Sequence, residues 1–126
     1  MIQNPIIAVG PNLARYTLLR VNIGELNSYF LAPVAGPPGT TYTVGTIHVL
    51  GESTWSAAVI TPVVSNFEPR FGGFALHPSG SALTAPTAPL SRVTPGLALD
   101  YGWFGFYVST AESSATYVDV VIEMHP

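Results

Sequence analysis

Imidazole is the commonest metal ligand and general base, so the three histidines, His48, His77 and His125, come first. A metal site needs ligands gathered on one face at short spacing, as in H-x-H on a strand or H-E-x-x-H on a helix. No two of these histidines lie within twenty residues of each other. His48 falls on an expected strand, His77 at a strand end beside Pro78, and His125 at a terminus where disorder is expected. All three read as structural or solvent-facing, and no metal or cofactor is expected. Paired carboxylates could serve a glycosidase. Asp119 and Glu123 share one face of a strand, but four residues at the strand rise put them ~13 Å apart, too far for either glycosidase geometry. Asp100 and Glu68 could approach from other strands, though nothing in the pattern brings them together.

Nucleophilic chemistry fares no better. Serine, histidine and aspartate all occur, but there is no G-x-S-x-G elbow. The nearest text, Pro78-Ser79-Gly80-Ser81, sits in a proline-rich stretch with no helix behind it. Gly36-Pro37-Pro38-Gly39 lacks the lysine and the strand–loop–helix setting of a phosphate cradle. The chain contains no lysine, which excludes Schiff-base chemistry, and no cysteine, which excludes disulfides, thiolate metal sites and cysteine nucleophiles. No catalytic residue is assigned, and the chain reads as non-enzymatic.

The same scarcity of charge is informative about surfaces. Only 9% of the 126 residues are charged while 48% are hydrophobic, whereas an average soluble domain carries charge at about a quarter of its positions. Neutral polar and aromatic side chains must therefore cover much of the exterior, a composition suited to packing against other protein. With four arginines and a net charge of −3 there is no basic patch for a phosphate backbone. No nucleic-acid partner is expected. No apolar run approaches 18 residues, and Met1-Ile2-Gln3-Asn4-Pro5 has no signal-peptide character, so no membrane partner is expected either.

The elements that would position these residues read as strands. Twelve glycines and twelve prolines punctuate short Val-, Ile-, Thr- and Tyr-rich runs, and no helical periodicity is sustained. The clearest strand is the last, where Thr116, Val118, Val120, Ile122 and Met124 form a dry face and Tyr117, Asp119, Val121 and Glu123 the other. Residues 101–108 are apolar on both faces. They read as a central strand covered on both sides, or as one whose outer face meets a partner subunit. Residues 111–114 are expected to join these two as a hairpin. Residues 16–23 alternate as another strand, turned at Gly24-Glu25 into 26–31. Residues 33–39 read as a loop. Residues 42–50 and 55–64 form a second expected hairpin around Gly51-Glu52-Ser53. Residues 71–77 are a further strand, and 79–89 an extended exposed loop.

The expected fold is therefore all-β, a two-sheet sandwich of about eight strands, jelly-roll or immunoglobulin-like. It occupies residues 13–126, behind an extended N-terminal arm at 1–12. The arm, with Ile2, Ile6, Ile7 and Val9, could clasp a neighbouring subunit or be an ordinary edge strand. Tyr101, Trp103 and Tyr107 could stack on a glycan, or fill a core or subunit interface, where such residues are enriched. Arg70 and Arg92 flank loops and could pair with carboxylates across subunits.

From Trp55-Ser-Ala-Ala-Val-Ile-Thr-Pro-Val-Val-Ser65 through Phe67, Phe71-Gly-Gly-Phe-Ala-Leu76, a Ser/Ala/Thr loop, and the closing strands 101–109 and 116–124, the chain resembles small structural proteins of tailed bacteriophages. These are cement or decoration proteins and neighbouring head or tail components. The resemblance covers roughly the last 70 residues. It implies a sandwich seated on a capsid lattice, touching the major capsid protein at the virion surface and often trimeric at local threefold positions. The interface residues expected on this reading are Ile2, Ile6, Ile7, Val9, Tyr101, Trp103 and Tyr107. Alternatives are a tail, neck or baseplate component, or a carbohydrate-binding receptor-recognition sandwich.

Overall fold

A computed structural model describes residues 5–51, 55–66, 77–84, 91–93, 96–99 and 101–126. Among them lie ten strands: β1 (Ile6–Val9), β2 (Ala14–Asn22), β3 (Tyr29–Pro33), β4 (Val44–Gly51), β5 (Val59–Ser65), β6 (His77–Pro78), β7 (Ser91–Val93), β8 (Leu97–Ala98), β9 (Trp103–Thr110) and β10 (Tyr117–His125). Eight of these are longer than two residues, and no described residue is helical. The expected all-β sandwich is what the chain forms. Ile2, Glu52, Ser53, Glu68, Arg70, Asp100 and most of the expected strand at 71–77 fall outside the described residues.

Every pairing is antiparallel, in two sheets. The larger runs β1-β2-β10-β4-β7, with β8 also on β4; the smaller runs β3-β9-β5-β6. The chain crosses between sheets six times, from β2 to β3, β3 to β4, β4 to β5, β6 to β7, β8 to β9 and β9 to β10. That interleaving is jelly-roll topology, two nested Greek keys, and differs from the immunoglobulin order. Both expected hairpins are thereby corrected: β4 with β5 and β9 with β10 lie in opposite sheets. Each of these strands has an apolar inner face, and an apolar face is satisfied equally by a neighbour in the same sheet or by one across the sandwich.

Alternation explains how the sheets meet. Val118, Val120, Ile122 and Met124 of β10 point inward with Ile47 and Val49 of β4, against Phe104, Phe106 and Val108 of β9 and Ile60 of β5. Tyr16 on β2 meets Phe30 on β3 at 6.0 Å between ring centroids, which places β3 beneath β2. The β2 alternation does not run in one phase: Tyr16 and Leu18 are buried, then Val21 and Ile23. Val118 pairs with Val21 but Val120 with Leu18, so Leu19 and Arg20 together oppose Asp119 in a β-bulge.

Three further expectations are revised. Pro33 closes β3, an edge strand that tolerates its missing N–H, and Ala35 bridges Thr41, so the loop is not wholly outside the ladders. Leu83, expected exposed, is buried and exchanges two backbone hydrogen bonds with Ile60. His125, expected disordered, ends β10 in register with Val44, and its carbonyl accepts the Thr43 N–H at 2.7 Å.

One end of the sandwich is tied by a carboxylate. Glu112, between β9 and β10, accepts backbone N–H groups of Ser56 (3.0 Å), Ala57 and Ala58 (2.6 Å) from the β4–β5 connection. Those bonds, Ala58's foremost, hold its carboxyl below the usual carboxylate range against a smaller opposing effect of burial. A depressed folded-state value means the stabilisation is full above the unfolded carboxyl value and is lost as pH falls through the folded one. Glu112→Gln is expected to cost about 1 kcal/mol at neutral pH, a modest figure because the group faces solvent. In urea denaturation at stepped pH, the gap between variant and wild type should close on acidification.

Candidate assembly surface

β1 is short because Pro5, Gly10 and Pro11 bracket its four apolar residues, each feature limiting ladder extension. Among the described residues it pairs with β2 alone, Ile6 opposite Thr17 and Val9 opposite Ala14, and no described strand pairs its other edge. Ile7 and Val9 share the inner face with Tyr16 and Ala14, but the smaller sheet begins beneath β2, so β1 overhangs it. All four side chains are exposed in consequence, with Ile6 at 61%, Ile7 at 57% and Val9 at 44%. The buried Tyr42 hydroxyl donates to the Gly10 carbonyl and pins the strand's end to the core. Edge strands are commonly protected by charge. Here the first charged residue after Met1 is Arg15.

The outer face of the larger sheet carries the charged groups that are paired. Arg15 donates to Glu123 Oε2 at 2.7 and 2.9 Å, and His48 Nε2 lies 3.0 Å from Oε1. Burial pushes the Glu123 carboxyl up, but Arg15, His48 and His125 together outweigh it and hold the value below the usual range. Asp119, on the same face, instead accepts the Arg20 backbone N–H at 3.1 Å. The two carboxylates thus have separate partners. Among the described residues no group of three histidine or acidic side chains is placed to hold a metal ion.

A shallow open cleft of ≈ 280 Å³ lies at the bulge, lined by Arg20, Leu50, Thr116, Tyr117 and Asp119 with their neighbours. The Arg20 guanidinium stacks on the Tyr117 ring at 4.5 Å. Sequence reasoning passed over this group because a bulge is invisible in alternation. The one signal was the doublet Leu18-Leu19, where strict alternation breaks.

Among the described residues the outer face of the smaller sheet is uncharged. Tyr107 stands between Tyr29 and Thr61, Trp103 between Pro33 and Ser65, and Gly105 between Leu31 and Val63. Leu31 and Val63 are buried without belonging to the inner core, so this face is partly covered already. Trp103 and Tyr107 are half-buried, and Tyr101, just before β9, is exposed. Trp103 does not line the cleft at the bulge. The expected interface residues therefore divide: Ile6, Ile7 and Val9 on the overhanging edge of one sheet, Trp103 and Tyr107 on the outer face of the other. Arg92 falls in β7.

No protein-family model, curated protein or solved structure matches the chain. None of the described helices, there being none, is long and apolar enough to cross a membrane.

Proposed function

We propose that the chain is a non-enzymatic virion structural protein, a cement or decoration protein that assembles as a symmetric homo-oligomer on a bacteriophage capsid. The trimer is its expected form, the major capsid protein its partner and the capsid surface its place. The observation that carries the reading is the uncharged β1 overhang, apolar on both faces and, among the described residues, open along one ladder edge. Such an edge is a template for another strand, and a free protein that kept it bare would risk aggregation. The low charge of the whole chain supports the same reading, since interface cores are depleted of charge and buried unpaired charge is costly. Jelly rolls serve as both capsid and lectin domains, so fold alone does not choose between them.

A second reading, a carbohydrate-binding receptor-recognition domain, draws on the half-buried Trp103 and the exposed Tyr101. A tail, neck or baseplate position would use the same edge. Cosedimentation with expanded phage shells stripped of accessory proteins discriminates among these. Saturable binding at a fixed number of copies per shell is the expected result. Chain that stays in the supernatant at every ratio, while a glycan array gives binding abolished by Trp103→Ala, would replace the capsid reading with the sugar-binding one.

A further inference from the structure

Arg20 is held in an unusual way for a strand residue. Its φ of 55° lies in the left-handed region, which a non-glycine residue rarely adopts. The bulge that imposes this conformation re-aims the side chain, as bulges do. Asp119 holds the backbone N–H, and Tyr117 carries the guanidinium plane. Among the described residues the guanidinium itself makes no hydrogen bond and no ion pair, although Arg15 on the same sheet is engaged by Glu123. A stacked planar fork with open N–H edges is preorganised for a carboxylate. Leu19 and Leu50 stand exposed beside it.

The matching group lies on the turn that follows β2. Among the described residues the Glu25 carboxylate is bonded only to the Ser28 hydroxyl, at 3.2 Å, and meets no cation. Its neighbour Leu26 is 58% exposed. Within one chain Arg20 and Glu25 do not pair, although they lie five residues apart at the same end of β2.

We infer that Arg20 receives Glu25 of a neighbouring copy of this chain, with Leu26 of that copy covering Leu19 and Leu50. Each protomer contributes both halves, so a symmetric assembly satisfies every Arg20 and every Glu25 without a foreign partner. The contact rests on the self-assembly proposed above and adds a second surface to the β1 edge. It specifies register, because a carboxylate presented elsewhere would leave the cation unpaired.

Charge reversal tests it. Association of wild type, Arg20→Glu, Glu25→Arg and the double variant is measured by sedimentation velocity over a concentration series at low ionic strength. Each single reversal should weaken association about 10- to 100-fold, and the double swap should restore it to within a few-fold of wild type. Glu25→Arg sits on an exposed turn and leaves the bulge untouched, so it reports even if Arg20→Glu loses its fold. Single variants that associate like wild type, or a double variant as weak as the singles, overturn the pairing and leave the assembly reading standing. A wild type that is monomeric throughout overturns both.

Discussion

Gly105→Ala is expected to lower stability by about 3 kcal/mol or more, near the top of the range for a single added methyl group. Gly105 sits mid-strand in β9, between Leu31 of β3 and Val63 of β5. A Cβ built there runs into the Phe30 carbonyl, with the Phe30 carbonyl carbon at 2.8 Å and the Leu31 Cα at 2.9 Å. These are backbone atoms of a paired strand, so relief requires β3 to move as a unit rather than one side chain to turn. Moving β3 also withdraws Phe30 and Ala32 from the core and breaks the Tyr16–Phe30 contact between the sheets. Guanidinium or thermal denaturation of the variant gives the cost directly. A midpoint equal to wild type would mean that β3 and β9 are not in the close register described here.

Ile7→Lys is expected to do the reverse, sparing the fold and removing the assembly. Ile7 is more than half exposed on an edge strand, so its replacement should change stability by under about 0.5 kcal/mol. In a subunit contact the same lysine must leave water, and the edge segment supplies no carboxylate of its own to pair it, since residues 5–14 contain none. An unpaired charge in such a place costs about 3 kcal/mol, which corresponds to association about 100-fold weaker. Light scattering checks the mass, and a thermal melt checks the fold. Unchanged mass in the lysine variant would remove β1 from the interface. Together with Glu112→Gln and the Arg20–Glu25 swaps, the two substitutions separate what holds the sandwich together from what joins one copy to another.

What was legible in the sequence follows from what alternation encodes. Strand β10 could be read almost residue for residue, because Val118, Val120, Ile122 and Met124 each face a single continuous core. The double-sided apolarity of residues 101–108 likewise has a physical counterpart: β9 lies between β3 and β5, and its outer neighbours Leu31 and Val63 are themselves buried. Partner choice was not legible. The β4–β5 and β9–β10 connections look like hairpin turns in sequence because burial fixes a strand's face without naming its neighbour. The jelly-roll order emerges only when eight such faces are satisfied together.

The candidate surface divides along the same line. Ile6, Ile7 and Val9 stood out as an apolar segment bracketed by proline and glycine, and they lie exposed on β1. The Arg20–Tyr117 stack joins residues 97 positions apart through a bulge, and Asp119 reaches it only because Leu19 and Arg20 share one position opposite β10. Neither spacing nor composition marks such a contact.

The central claim is that this chain works as part of an assembly of itself, and its mass in solution tests that most directly. Size-exclusion chromatography with light scattering, over a range of loading concentrations, should give a stable species near three times the 13.3 kDa chain mass. A single species at the monomer mass at every concentration would contradict the account.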